Sequence, residues 1–243
     1  MNTIAEEIKA RSLSGNTIKM IAIIAMIIDH VGWAFVATDS IPAMIMHTIG
    51  KLTGPIMFFF IAEGNHYTRN RNKYVQRLAL FVLISHIPYN LFCNYGREIT
   101  LLPTSVIFTL LCGLLALIVY ERVDQKLLKW PLMIALVGIT CWADWALWGA
   151  LFILGFGIFY GDKQKQWTAY LILNCIKVAL LFYNVGWNYY RLVPAVLSPL
   201  LVIAILSLYH GKKGGNQYTR WAFYVIYPLQ FILIGGIWLL LPR

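Results

Sequence analysis

Long apolar runs separated by short, polar and often basic stretches set the pattern of this chain. Runs near the roughly 17–25 residues that a helix needs to cross a bilayer occur at about 18–36, 42–62, 75–92, 104–120, 131–147, 149–160, 167–183, 192–209 and 221–241. The pattern therefore predicts an all-α, polytopic transmembrane helical bundle of about nine spans, forming one domain over 1–243 that opens with a short segment, 1–16. Only Trp148 separates the fifth run from the sixth, so 131–160 reads as two short tilted helices, a re-entrant pair or one broken helix. In the second run Gly50 and Gly54 form a pair of small residues one turn apart, suited to close helix packing.

Composition narrows the class further. The chain is 60% hydrophobic and 12% charged with a mean hydropathy of +0.68, far from the roughly one quarter charged of soluble domains. The first apolar run is too long for a signal-peptide core and no small-residue cleavage site precedes it, so the N-terminus reads as retained. Alternating spans assign each loop to a side, and the basic clusters Lys9 to Lys19, Arg69 to Arg77, Arg122 to Lys129, Lys163 to Lys165 and Lys212 to Arg220 all fall on one of them. Only Arg97, Arg191 and Arg243 fall on the other, which puts the N-terminus in the cytoplasm. The net charge of +10 is then an orientation signal, and with no basic soluble domain to hold a duplex it does not point to nucleic acid. Cys93, Cys112, Cys141 and Cys175 have no ligand-like spacing, so neither a metal nor a disulfide is expected.

Polar residues inside the runs are where chemistry is sought, because titratable groups at membrane depth are costly and need a reason to be there. Asp29 and His30 lie about two thirds of the way along the first run. Adjacent helical positions differ by about 100°, so one of the two is expected to bond to a neighbouring helix rather than to its companion. Candidates at similar depth are Lys51, His86 with Asn90, and Asn174 with Lys177, each of the last two pairs sharing a helix face and together suggesting a polar cavity. For Asn90 and Asn174 simple interhelical hydrogen bonding is an equal alternative. Between the second and third runs, Glu63 to Arg77 concentrates Glu63, His66, Arg69, Arg71, Lys73 and Arg77, with Arg69, Lys73 and Arg77 at a four-residue period that suits phosphates as well as positive-inside anchoring.

The stretches TIKMIAIIAMIIDHVG, IGKLTGPIMFFFIAEGNHYTRNRNKYVQRL and FYVIYPLQ, in that order from about Leu13 to Leu240, resemble the TraX family, named for the protein that acetylates conjugative pilin. More distantly the plan is similar to the acyltransferase-3 and heparan-acetyltransferase group. The resemblance implies a bacterial inner-membrane acetyltransferase that takes its acetyl group from cytoplasmic acetyl-CoA. The acceptor would be an extracytoplasmic amine or hydroxyl: a pilin N-terminus, another peptide or a glycan. It makes His30 the general base with Asp29 setting its orientation, and Lys51 or backbone N–H groups the oxyanion donors. His86 joins the catalytic set, while Glu63, His66, Arg69, Arg71, Lys73 and Arg77 hold the cofactor. Two positions depart from the family pattern: Gln230 stands where His is frequent, and Lys51 where Arg is expected. The rival reading is a proton-coupled transporter with Asp29, His30, His86 and Lys177 as a relay, and a scaffold for a secretion machine is third. Matching halves, frequent in transporters, are absent from the sequence. A membrane homodimer is compatible with either.

Overall fold

The computed structural model describes residues 13–94, 100–102, 104–212, 214 and 217–240, with the backbone alone for 217–223. The N-terminal segment with Lys9 and Arg11, and the positions Arg97, Lys213 and Arg243, lie outside the described residues. The described residues are helical apart from turns and two isolated bridges: α1 Gly15–Phe35, α2 Ile41–Gly50, α3 Thr53–Tyr67, α4 Arg71–Cys93, α5 Val106–Arg122, α6 Lys126–Gly138, α7 Ala146–Ile158, α8 Lys163–Val185, α9 Tyr189–Ser207 and α10 Gln217–Leu240. Every predicted run lands on a helix, and five are long and apolar enough to cross a membrane by length and composition: α1, α2 with α3, α4, α8 and α9. Local chemistry sets their starts, since Ser14, Ser40, Asn70, Asp162 and Asn188 each accept a backbone N–H of the first turn they precede.

Two runs are broken, each for a physical reason. The second run divides at Lys51 and Leu52 into α2 and α3. Pro55 has no N–H, and its ring collides with the carbonyl four residues earlier, which is that of Lys51. The fifth and sixth runs are two helices, α6 and α7, joined by a 3-10 turn at Ile139–Trp142 and by Trp145 and Ala146 in left-handed backbone (φ 64° and 42°). The chain reverses before Trp148 rather than at it, and Asp144 helps by accepting the Trp145 N–H at 2.9 Å.

The helices divide into two compact units. Unit one holds α1, α2, the start of α3, α9 and the first part of α10, with α2 packed against both α1 and α9, and Ile18, Ala22, Ala43 and Val202 are fully buried in it. Unit two runs from Met57 to Gly186 and takes in the end of α10, with Phe231 against Tyr89 and Phe92. At its core α5 and α7 lie close because Gly113 faces Ile153, Gly149 faces Thr109 and Phe58, and Gly157 faces Leu117.

Candidate functional site

In unit one, α1 and α2 approach closely where α1 carries Asp29, Gly32 and Trp33 at i, i+3 and i+4, hence on one face. His47 of α2 fits into that face. Its Nδ1 lies 2.8 Å from Asp29 Oδ1, its Cε1 lies against Gly32, and its ring is 4.4 Å from that of Trp33, tilted by 39°. One turn on, Gly50 packs on the Asp29 side chain so tightly that a methyl group there would overlap it. The His47 and Asp29 side chains are 7% and 23% exposed. A carboxylate only accepts, so the imidazole Nδ1–H donates and in the neutral ring Nε2 keeps the lone pair. Nε2 is buried and has no hydrogen-bond partner among the described residues. The arrangement is an oriented imidazole with its basic nitrogen uncommitted, which is the form a general base needs.

Asp29 thus does bond across to a neighbouring helix, through a histidine that the sequence pattern does not single out. His47 stands three residues before Gly50 and so shares its helix face, but nothing in the sequence says that this face meets Asp29. His30, one position beyond Asp29, is partly buried. Lys51 is the residue at which α2 stops, and its N–H donates to the His47 carbonyl at 3.0 Å. Just past the break, Thr53 Oγ1 donates to the Ala22 carbonyl at 2.9 Å, tying the start of α3 to α1.

In unit two, the junction of α3 and α4 separates the clustered polar residues into distinct tasks. Arg71 Nη2 lies 2.6 Å from Glu121 Oε2 of α5, and the other carboxylate oxygen accepts from Asn65 Nδ2 at 2.9 Å. Arg71 is therefore already neutralised, whereas Arg69 and Lys73 are exposed. Arg77 lies over the Tyr74 ring at 5.3 Å. Glu63 is buried, and His66 is stacked on Tyr160 with ring centroids 3.9 Å apart. Tyr160 belongs to the turn between α7 and α8, and its phenol is pushed above its ordinary range by burial, by a hydrogen bond to Tyr67 and by the nearby Glu63. Asp162 is held below the usual carboxylate range by the Lys165 N–H it caps and by the Lys165 side chain at 3.0 Å.

The remaining candidates have local partners. His86 Nε2 lies 2.9 Å from the Thr100 carbonyl, and Asn90 Oδ1 accepts from the Thr100 N–H and hydroxyl at 3.0 and 2.9 Å, so this pair shares a face, as expected, and holds Thr100 against α4. Asn174 Nδ2 donates back to the Tyr170 carbonyl of its own helix at 2.8 Å. Lys177 sits over the Trp145 ring at 4.1 Å, a cation–π contact on the strained turn. The Asn174 and Lys177 side chains thus have separate partners.

Comparison with known proteins adds the family to this geometry. No solved structure matches the chain. It is 31% identical over 229 residues, 89% of this chain and 92% of the relative, to the "Probable fimbrial assembly protein FimC, serogroup H1" of Dichelobacter nodosus. The family model described as TraX protein matches residues 14–238, a span that takes in both the Asp29–His47 pair and the α3–α4 junction, and the chain belongs to the TraX family.

Proposed function

We propose that this protein is an integral-membrane acetyltransferase that moves an acetyl group from cytoplasmic acetyl-CoA to an amine or hydroxyl of an extracytoplasmic acceptor, in the service of pilus or fimbria assembly. The assembly role is supported by TraX membership and by the name of the Dichelobacter relative, a probable fimbrial assembly protein. The observation that carries the chemistry is the Asp29–His47 hydrogen bond between two apolar helices.

In this reading the base is His47, taking the role that the sequence assigns to His30, while His30 supplies a second imidazole beside Asp29. His47 Nε2 removes the proton of the acceptor X–H as X attacks the acetyl carbonyl. The C–S bond then breaks, and the thiolate leaving group takes the proton back from the imidazolium, giving acetyl-X and free coenzyme A. Asp29 holds the tautomer and stabilises the imidazolium while it exists. Oxyanion donors are available at the α2–α3 break, where Lys51 stands and where the first N–H groups of α3, Thr53 and Gly54, lack the intrahelical acceptors of later turns. Such base catalysis contributes about 10²–10⁴-fold.

The reading includes an inner-membrane location, about nine spans and a cytoplasmic N-terminus. At about 1.5 Å per residue, Asp29 lies ~9 Å from the α2-facing end of α1 and ~21 Å from its start. The base would then lie nearer the outer surface, suiting an extracytoplasmic acceptor. The cofactor's phosphates are assigned to Arg69, Lys73 and Arg77, with Arg71 bracing α4 against α5 through Glu121. Coenzyme A added to the detergent-purified protein should raise its melting temperature in proportion to ligand occupancy. No shift at saturating coenzyme A would remove the reading and favour the proton-relay alternative.

A further inference from the structure

Three rings gather in unit two where α3 ends and α7 turns into α8. His66 lies nearly parallel to Tyr160, with centroids 3.9 Å apart and planes 24° apart. Tyr67 stands edge-on to both, at 5.2 Å from His66 and 6.2 Å from Tyr160. Despite this order, His66 is exposed and Tyr67 is 50% exposed, so the cluster is accessible from outside the protein.

Exposed cations frame it. Arg69 is two residues beyond Tyr67 and Lys163 three beyond Tyr160, which at no more than about 3.6 Å per residue puts their Cα atoms within ~7 and ~11 Å of those tyrosines. The acids at the same place are accounted for: Glu121 pairs with Arg71, Asp162 caps α8 and pairs with Lys165, and Glu63 is buried. An accessible aromatic cluster with exposed positive charge beside it has the composition of a nucleotide site, one part for the base and one for the phosphates.

We propose that His66, Tyr67 and Tyr160 form a stacking platform for a purine nucleotide, with Lys163 joining Arg69 beside its phosphates. The proposal rests on the acyl-donor reading above and names the part of that donor which this end of unit two recognises, the adenosine bisphosphate of the coenzyme. Aromatic residues that anchor a protein at a lipid headgroup layer direct their polar tips to water. Here three rings are already ordered against one another, stacked and edge-on, an arrangement that a purine can extend by stacking and a lipid headgroup cannot. Such a platform works by adding a third ring to the His66–Tyr160 stack. It needs the ring of Tyr160 and not its hydroxyl.

Titration calorimetry on the purified full-length protein in detergent tests this, using adenosine 3′,5′-bisphosphate, coenzyme A and 4′-phosphopantetheine as separate ligands. The platform predicts that the bisphosphate binds wild type, that His66→Leu and Tyr160→Leu each weaken it by about ten- to hundredfold, and that Tyr160→Phe keeps most of the affinity. Phosphopantetheine affinity stays within about twofold of wild type in all three variants, which also certifies that they are folded. Three results overturn the platform while leaving the acyl-donor reading intact: phosphopantetheine and coenzyme A binding equally well, the Leu variants binding the bisphosphate like wild type, or Tyr160→Phe losing as much as Tyr160→Leu. Failure of wild type to bind any of the three ligands overturns both.

Discussion

At the residue scale the account turns on a carboxylate, an imidazole and a glycine. Asp29 and His47 meet at 2.8 Å because Gly50, one turn beyond His47, lets α2 lie directly on the Asp29 side chain. Gly50→Ala forces its new methyl into Asp29, so it should lower stability by about 1–3 kcal/mol, as overpacking does, and break the hydrogen bond. Thermal unfolding in detergent alongside an activity assay reads both effects, and a Gly50→Ala protein with wild-type stability and turnover contradicts the packing described. Asp29 was legible in the sequence because a carboxylate in an apolar run stands out. His47 was not, because periodicity tells which residues share a face of one helix but not which face of the next helix meets it. The same limit explains Arg71, which belongs to a basic stripe in sequence and to Glu121 in space.

The helices themselves followed from hydropathy, since each apolar run became helical, the second as two helices. Their interruptions had to be read from single residues. Pro55 explains the break at Lys51, and the left-handed Trp145 and Ala146, which no composition rule requires, place the turn before Trp148. Between elements, α4 is tied to α5 by Arg71, Glu121 and Asn65. The ion-paired side chains are 24% and 32% exposed, so solvent screens the attraction, and a double-mutant cycle across Arg71→Ala and Glu121→Ala should give a coupling below about 1 kcal/mol. In the same variants Arg71→Ala should weaken coenzyme A binding much less than Lys73→Ala, because the Arg71 charge is already matched within the protein. Equal losses in a binding titration would place Arg71 among the phosphate ligands instead.

For the whole molecule, the proposed topology follows the positive-inside pattern and would put the α1–α2 and α8–α9 connections outside the membrane and the α5–α6 and α7–α8 connections in the cytoplasm. A membrane-impermeant thiol reagent added to intact cells should label Asp39→Cys and Trp187→Cys in a background lacking the native cysteines, and leave Lys126→Cys and Lys163→Cys untouched. The reverse pattern would turn the molecule over and move the Asp29–His47 pair toward the cytoplasmic face. The most direct measurement is transfer of radiolabelled acetyl from acetyl-CoA to an amine or hydroxyl acceptor by the purified protein, wild type beside His47→Gln and His30→Gln, with coenzyme A binding measured in the same samples. The account predicts that His47→Gln loses about 10²–10⁴-fold in rate while still binding coenzyme A, and that His30→Gln retains the larger share of activity. A His47→Gln protein that transfers acetyl at the wild-type rate, with the loss falling on His30→Gln alone, would contradict the Asp29–His47 pair as the catalytic base.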